Sequence, residues 1–300
     1  MLDELITEQR NPKSEGIDAR SAEEILRIIN AEDQTVPAAV AVEIPHIARA
    51  VDGIVERLSA GGRLFYIGAG TSGRLGVLDA AECPPTFRVS PELVQGIMAG
   101  GEAALVRATE ASEDDAAMGA SDLMQRGFRG GDVLVGIATS GRTPYVLGAI
   151  DAARTMGALT IGISSNPDSE LARRADIAIT PVTGPEVITG STRLKAGTAT
   201  KLVLNMISTA AMIRLGYVFG NLMVNVRPVN RKLAERARNI IVLAAGVTRA
   251  EAARLLDETG GDVKAAILMA RFRVSKTEAV GMIEAAHGRL SEAIRAWTSL

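Results

Sequence analysis

The sequence predicts an α/β fold, in which a parallel β-sheet is covered by helices, followed by a tail that is helical throughout. Over residues 63–215, short continuous apolar runs alternate with segments of helical spacing, as βαβ units with fully buried strands do. Three of these runs end in turns rich in Gly, Ser and Thr. After residue 228 only helical spacing remains, so we predict two domains, residues 1–228 and 229–300.

The predicted elements follow in order along the chain. Helical spacing over residues 19–30 and 38–58 precedes the first strand, with Pro45 a mild interruption of the second segment. The predicted strands are residues 63–67, 93–98, 132–138, 159–163 and 177–179, and the helices between and after them are residues 74–81, 102–125, 145–156, 171–174 and 194–215. Pro84 and Pro85 are predicted to end helix 74–81, because proline lacks the N–H that a helix needs. The tail helices are predicted at residues 232–243, 249–258, 262–272, 276–286 and 290–297.

Composition excludes several classes of function. A net charge of −2 offers no electrostatic basis for binding nucleic acid or an anionic membrane. The N-terminus lacks the apolar run of a signal peptide, and the most apolar later stretch, residues 202–213, is too short to cross a bilayer. The single cysteine, Cys83, leaves no internal disulfide and no cysteine-based metal site. We therefore predict a cytoplasmic protein without a metal or an organic cofactor.

The turn after the first strand, GAGTSG at residues 68–73, has the composition of an anion site. Glycine allows close backbone approach, and the first N–H groups of the following helix point at a ligand there. Gly70, Thr71 and Ser72 are the candidate binding residues. The turn also fits G-x-G-x-x-G, but the acidic residue that would hold a ribose is missing from the end of the next strand. A phosphate is thus favoured over a nicotinamide cofactor, and a plain strand-to-helix turn is the simpler alternative.

Two further turns repeat this chemistry. The central strand is followed by Ser140, Gly141, Arg142 and Thr143, and the next strand by a turn that begins at Ser164. Arg142 adds a planar, charged donor. Serine and threonine are also ordinary helix caps, which is the simpler alternative for any one turn. Because parallel strands place their carboxyl ends at one edge, we expect the turns to converge on one crevice that binds a phosphorylated small molecule.

Carboxylates near these turns are candidates for acid–base chemistry. Glu82 follows the helix that starts at the first turn, and a second carboxylate would come from the acidic residues Glu110, Glu113, Asp114 and Asp115. Such an acidic run is more often a solvated face. Cys83 is interpreted as a buried filler, because no histidine stands at an interpretable place beside it. Two carboxylates in unlike environments can act in turn as acid and base.

These motifs resemble those of the N-acetylmuramic acid 6-phosphate etherases, which have the sugar isomerase (SIS) fold. The matching segments are residues 68–86, 110–115, 138–146, 162–167, 188–206 and 219–226, and the resemblance extends from residue 6 to the C-terminus. It implies a SIS-type three-layer sandwich around a parallel sheet (flavodoxin-like). It also implies a small all-helical C-terminal domain, because residues 246–267 resemble a ubiquitin-associated (UBA-like) module.

The resemblance also implies a reaction, a homodimer and specific site residues. Such enzymes remove D-lactate from the sugar phosphate by elimination and then add water. By motif, Glu82 matches the family's acid and Glu113 its second glutamate, with Glu110 as a reserve choice. We expect Glu113 to remove the C2 proton and Glu82 to protonate the departing lactate, although the two roles could be exchanged. The hydroxyls that match the family's phosphate-binding set are those of Thr71, Ser72, Ser140 and Thr143.

Two alternative functions stay open. A SIS-fold sugar-phosphate isomerase would need a base but no acid directed at an ether. A non-catalytic sugar-phosphate sensor would need the hydroxyls but not both glutamates. Glu186 and Lys195 lie near a motif that could enter the crevice from a second subunit, or they are surface charges.

Overall fold

The computed structural model describes residues 5–107 and 113–298. The strands are β1 (Leu64–Gly68), β2 (Val94–Met98), β3 (Val133–Ile137), β4 (Leu159–Ile163) and β5 (Ile177–Ile179). The helices of the first 214 residues begin with α1 (Ala22–Asp33), α2 (Val36–Val42), α3 (Ile44–Ser59) and α4 (Gly70–Phe87). They continue with α5 (Ala103–Val106), α6 (Ala116–Gln125), α7 (Pro144–Thr155), α8 (Glu170–Arg174) and α9 (Lys195–Arg214). The tail helices are α10 (Arg231–Ala245), α11 (Arg249–Glu258), α12 (Val263–Phe272), α13 (Lys276–Ala285) and α14 (Leu290–Thr298).

The chain forms two compact units. The first unit comprises Met1–Ala81 and Pro91–Ser208, and the second comprises Glu82–Ser90 and Thr209–Leu300. Both units therefore contain part of α4 and part of α9. The predicted boundary after residue 228 separates domains that would each fold alone. A division into compact units does not test that property, so the boundary stays a prediction.

The sheet belongs to the first unit. Within the described residues it has five parallel strands in the order β2-β1-β3-β4-β5. Every residue of β1 and β3 is buried, which explains why these strands are continuous apolar runs rather than alternating ones. The predicted parallel sheet is confirmed, and its strand order is that of flavodoxin-like folds.

Helices cover both faces of this sheet. On β3, Gly136 faces α7, because a Cβ atom placed there would lie 2.8 Å from Val146. The next residue, Ile137, faces α4, since a Cβ atom on Gly76 of that helix would lie 3.3 Å from its side chain. Successive strand residues point to opposite faces, so α4 and α7 pack on opposite sides of β3.

Three helix predictions are wrong. The predicted helix 102–125 corresponds to two helices, α5 and α6, and residues 113–115 before the second are not helical. Helix α4 does not end before Pro84 and Pro85 but runs through them to Phe87. A proline removes its own N–H but keeps its carbonyl, and the carbonyl of Pro84 accepts the N–H of Arg88 at 2.9 Å. The predicted helix 38–58 is divided at Glu43, one residue before Ile44–Ser59 begins. This last boundary coincides with Pro45, which lies in the first turn of α3, where a proline is well tolerated.

The tail helices of the second unit share one core. Its fully buried members include Ile241, Ile267 and Leu290, and Val224 and Val226 join it from the segment before α10. Side chains cap the starts of four of these helices, namely Asn230, Thr248, Asp262 and Ser275. Throughout residues 5–107 and 113–298, no helix is both long and apolar enough for a membrane span.

Candidate active site

The turn after β1 brings a strand and a helix closer together than side chains would allow. A Cβ atom on Gly68 would lie 2.7 Å from the backbone nitrogen of Gly73, and one on Gly73 would lie 2.6 Å from the carbonyl oxygen of Gly68. Between them, Gly70 has a φ of +53°, which favours glycine. The glycines therefore hold the first turn of α4 against the strand, and Thr71 and Ser72 lie half-buried in that turn.

The start of α4 is suited to an anion. The first N–H groups of a helix have no acceptor within it, and the helix dipole places partial positive charge at the same end. The start of α9 differs, because the Glu186 carboxylate accepts the N–H groups of Lys195 and Ala196, each at 3.0 Å. The N–H groups at the start of α9 are therefore bonded to Glu186, whereas the start of α4 is available to a ligand.

The turn after β3 is equally compact. Gly141 has a φ of +67°, and a Cβ atom there would lie 2.2 Å from the Cβ of Ser169. The Ser140 hydroxyl accepts the N–H of Arg142 at 3.2 Å, which leaves its proton for another acceptor. Thr143 immediately precedes α7, but its side chain makes no capping hydrogen bond. The turn thus presents two half-buried hydroxyls, whereas Arg142 is exposed.

Ser164 occupies a different environment. It is 2% exposed, its hydroxyl donates to the carbonyl oxygen of Asn166 at 3.0 Å, and it also lies 3.0 Å from the Ser169 hydroxyl. Because Gly141 and Ser164 approach each other closely, Ser164 lies behind the turn after β3.

The turns after β1 and β3 lie at the place where the strand order reverses. Strands β1 and β3 are neighbours, and Gly68 is paired with Ile137 at their carboxyl ends. From β1 the chain crosses to β2 on one side and then returns to β3 on the other. In open α/β sheets the ligand crevice forms at such a switch point.

Glu113 lies at this switch point. A Cβ atom on Gly70 would be 3.2 Å from its Oε1 atom, so the carboxylate contacts the turn after β1. Its carbonyl oxygen accepts the N–H of Tyr145, the second residue of α7, at 3.0 Å. Glu113 therefore connects the turn after β1 with the helix that follows the turn after β3. Without the family resemblance, the residue pattern alone did not distinguish Glu113 from the acids beside it.

Close packing of α6 on α7 holds Glu113 in place. A Cβ atom on Gly148 would lie 2.0 Å from the carbonyl oxygen of Ala116, and one on Gly119 would lie 1.8 Å from that of Tyr145. The Tyr145 hydroxyl donates to Asp122 on α6 at 2.6 Å. Burial, together with this bond, raises the pKa of Tyr145 well above its ordinary value, so the phenol stays protonated and keeps donating. Our sequence reasoning missed both glycines.

Of the other candidate residues, the structure describes Glu82, Glu186 and Lys195. Glu82 is exposed, about three turns after Gly70 on α4, in a segment of the second unit. Glu110 lies outside the described residues. Glu186 and Lys195 are 0% and 2% exposed, so the interpretation as surface charges is wrong. Among the described residues, no group of three or more His, Cys, Asp or Glu side chains is placed to hold a metal ion.

Comparisons with known proteins agree with this fold. The family described as SIS domain matches residues 116–210, and the glucokinase regulatory protein N-terminal SIS domain matches residues 46–154. A phosphoheptose isomerase from Neisseria gonorrhoeae superposes with a TM-score of 0.50 at 20% identity, covering 64% of this chain and 98% of the isomerase. At that identity the likeness shows the fold alone.

Full-length relatives are much closer. An N-acetylmuramic acid 6-phosphate etherase of Symbiobacterium thermophilum is 57% identical over 267 residues, which are 89% of either chain. Another, from Rhizobium rhizogenes, is 53% identical over 298 residues, covering 99% of this chain and 97% of the relative. These alignments cover nearly the whole chain, so they include the turns after β1 and β3 as well as the helical tail. The chain belongs to the N-acetylmuramic acid 6-phosphate etherase family.

Proposed function

We propose that this enzyme cleaves the D-lactyl ether of N-acetylmuramic acid 6-phosphate, giving N-acetylglucosamine 6-phosphate and D-lactate. The observation that carries the proposal is identity above 50% to etherases over nearly the full chain. The structure adds a carboxylate, Glu113, in contact with a turn whose helix start suits a phosphate.

The chemistry explains why two carboxylates are needed. An ether oxygen is a poor leaving group, and water does not displace it unaided. In the open-chain sugar, C2 lies beside the aldehyde, so a base can remove its proton. The C3 oxygen then leaves as lactate when an acid protonates it, producing an unsaturated aldehyde. Water adds at C3 and a proton returns to C2, so the overall reaction consumes one water.

We assign the residues as follows. Glu113 removes the C2 proton, and Glu82 protonates the departing lactate and then activates the water. Each such role increases the reaction rate by a factor on the order of 10²–10⁴. The phosphate is held by the backbone at Gly70 and Gly141, by the side chain of Arg142, and by the hydroxyls of Thr71, Ser72, Ser140 and Thr143. Ser164 completes the proposed binding set from the turn after β4, and its hydroxyl is held by bonds to Asn166 and Ser169.

The test separates the two proton transfers. In deuterated solvent, Glu82→Gln should exchange the C2 proton of the substrate while releasing lactate at least about 100-fold more slowly than wild type. Glu113→Gln should lose both exchange and release. Glu56→Gln, an exposed glutamate on α3, is the control and should retain both. Near-normal lactate release by Glu82→Gln would contradict the assignment of Glu82. If Glu82→Gln loses the C2 proton exchange while Glu113→Gln keeps it, Glu82 is the base and Glu113 is the acid.

A coupled lactate assay distinguishes the alternatives. A sugar-phosphate isomerase would convert the sugar without releasing lactate, and a sensor would bind the sugar phosphate without turnover. The near-full-length identity to etherases favours lactate release.

Three finer points belong to the same proposal. We propose a homodimer, as the resemblance implies, which sedimentation analysis would test. We also propose that the tail contains the UBA-like module, because α11, α12 and α13 share one core within the second unit. The cytoplasmic location stays a prediction from the sequence.

A further inference from the structure

The N-terminal segment, defined here as residues 5–15, buries an unusual amount of polar surface. Thr7, Asn11 and Ser14 are 1%, 7% and 9% exposed, although the segment contains only short 3₁₀ turns. Buried polar groups cost free energy unless they are hydrogen-bonded, so such burial indicates specific partners. Two of the groups bonded to this segment are Asn166, which follows β4, and Glu32 of α1.

Asn166 is the first of these partners. It follows β4, it is 5% exposed, and its Oδ1 atom accepts the backbone N–H of Ile6 at 3.0 Å. Its Nδ2 atom donates to the carbonyl oxygen of Thr139 at 3.0 Å. Thr139 immediately precedes Ser140, so one amide side chain connects the N-terminal segment to the turn after β3.

A second connection leads to the turn after β1. Asn11 donates to Glu32 at 2.7 Å, and Glu32 also pairs with the buried ammonium group of Lys195 at 2.6 Å. Lys195 is the first residue of α9. At the third residue of α9, a Cβ atom on Gly197 would lie 3.6 Å from the methyl group of Thr71, so the start of this helix packs beside the turn after β1.

We propose that Asn166 is a positioning residue for the phosphate site and that the N-terminal segment holds its side chain in the productive orientation. An amide side chain rotates freely unless both ends are bonded. Here the Ile6 N–H fixes the oxygen end, which directs the nitrogen end at Thr139 and keeps the Ser140 hydroxyl in place. The Glu32–Lys195 pair serves the turn after β1 in the same way. This inference rests on the proposed function, since it concerns the affinity of that site for phosphate.

Ile6→Pro tests the connection with little risk to the fold. Ile6 is the first residue of a 3₁₀ turn, where proline is well tolerated, and Leu5 before it already has the extended backbone (φ −74°, ψ 132°) that a following proline requires. The substitution removes the N–H that Asn166 accepts, and it also replaces the Ile6 side chain. Ile6→Ala is the matched control, because it shortens the side chain and keeps that N–H.

The readouts are the inhibition constant of inorganic phosphate, the KM and kcat for lactate release, and the melting temperature. We expect Ile6→Pro to raise both the inhibition constant and KM between about threefold and tenfold, with kcat changed less. Ile6→Ala should match the wild type. Asn166→Asp, which keeps the acceptor but replaces the donor facing Thr139, should raise the same two constants at least as much.

The outcomes separate this inference from the proposed function. Lactate release by the wild type, competitively inhibited by phosphate, tests the function itself. If that holds while Ile6→Pro and Asn166→Asp bind phosphate as the wild type does, the inference is overturned, whether or not their melting temperatures fall. Asn225→Asp is a second control, because this buried amide of the other unit donates to the carbonyl oxygen of Tyr217 instead. An equal loss of phosphate affinity in Asn225→Asp would also overturn the inference.

Discussion

The position of Glu113, a candidate catalytic residue, depends on the absence of a side chain at Gly148. Helix α7 can approach the start of α6 only because residue 148 has no Cβ, which would lie 2.0 Å from the Ala116 carbonyl oxygen. Glu113 lies three residues before Ala116 and is bonded to Tyr145 through its carbonyl. The position of its carboxylate beside Gly70 therefore depends on a residue that has no chemistry of its own.

Gly148→Ala should consequently impair both stability and catalysis. Because the added methyl group meets backbone rather than a flexible side chain, α6 must move, at a cost of about 1–3 kcal/mol in the free energy of unfolding. Activity measured well below the melting temperature should also fall, because Glu113 moves with α6. Urea titration and lactate release check the two effects.

The control is Gly281→Ala. Gly281 lies inside α13, and a Cβ atom there would meet nothing within 4 Å. Alanine is the better helix former, so this variant should be as stable as the wild type or more stable by about 0.5–1 kcal/mol. Equal effects of the two substitutions would contradict the steric argument.

At the scale of elements, a buried ion pair joins α1 to α9. Glu32 and Lys195 are 4% and 2% exposed, and Lys13 and Asn11 complete the bonding of the Glu32 carboxylate. Burial alone would raise the pKa of Glu32, but hydrogen bonds from Lys13, Lys195 and Asn11 outweigh it and lower the pKa to about 2. Removing one partner of such a pair leaves an uncompensated charge, which destabilises a fold strongly.

The lowered pKa predicts acid sensitivity. The unfolded chain protonates Glu32 near pH 4.5, whereas the folded protein keeps it ionised down to about pH 2. Its stabilising contribution is therefore complete above pH 4.5 and is lost as the pH falls toward 2. Glu32→Gln should be less stable than the wild type at pH 7, and its free energy of unfolding should decline less over this acid range.

Urea unfolding at a series of pH values measures this dependence. Glu23→Gln, an exposed glutamate on the same helix, should decline with pH as the wild type does. If Glu32→Gln also declines as steeply as the wild type, the pair does not control acid stability.

At the scale of the whole molecule, the two units differ in how their cores are built. The first is organised by a sheet whose strands are distant in sequence, and the second by helices in succession. Val224 and Val226, each 1% exposed, belong to the helical core although they precede the boundary predicted after residue 228. A tail that begins at residue 229 would lack both.

Two fragments test where the tail begins as a folding unit. Burying a valine contributes roughly 1.5–3 kcal/mol, so a fragment of residues 217–300 should be more stable than one of residues 229–300 by several kcal/mol. Thermal melting followed by circular dichroism compares them. Equal melting temperatures would support the boundary after residue 228.

Much of the fold was predictable because its determinants are local. The predicted strand 63–67 corresponds to β1, and the segment 132–138 contains β3, since continuous apolar runs are typical of strands buried on both faces. The Gly70 and Gly141 turns could be recognised as close approaches, because glycine at a strand end favours a positive φ. The passage of α4 through Pro84 and Pro85 was not predicted, because proline ordinarily ends a helix, whereas here the carbonyl of Pro84 still accepts the N–H of Arg88.

The sequence by itself determined the parallel sheet, the turns at its carboxyl ends and the family, since each depends on residues that are neighbours along the chain. Only the tertiary structure decided that Glu113 contacts Gly70, that Ser164 and Lys195 are buried, and that Asn166 joins the N-terminal segment to the turn after β3. Those contacts join residues tens to more than a hundred positions apart. Their formation depends on strand order and on how closely helices pack, which no local pattern encodes.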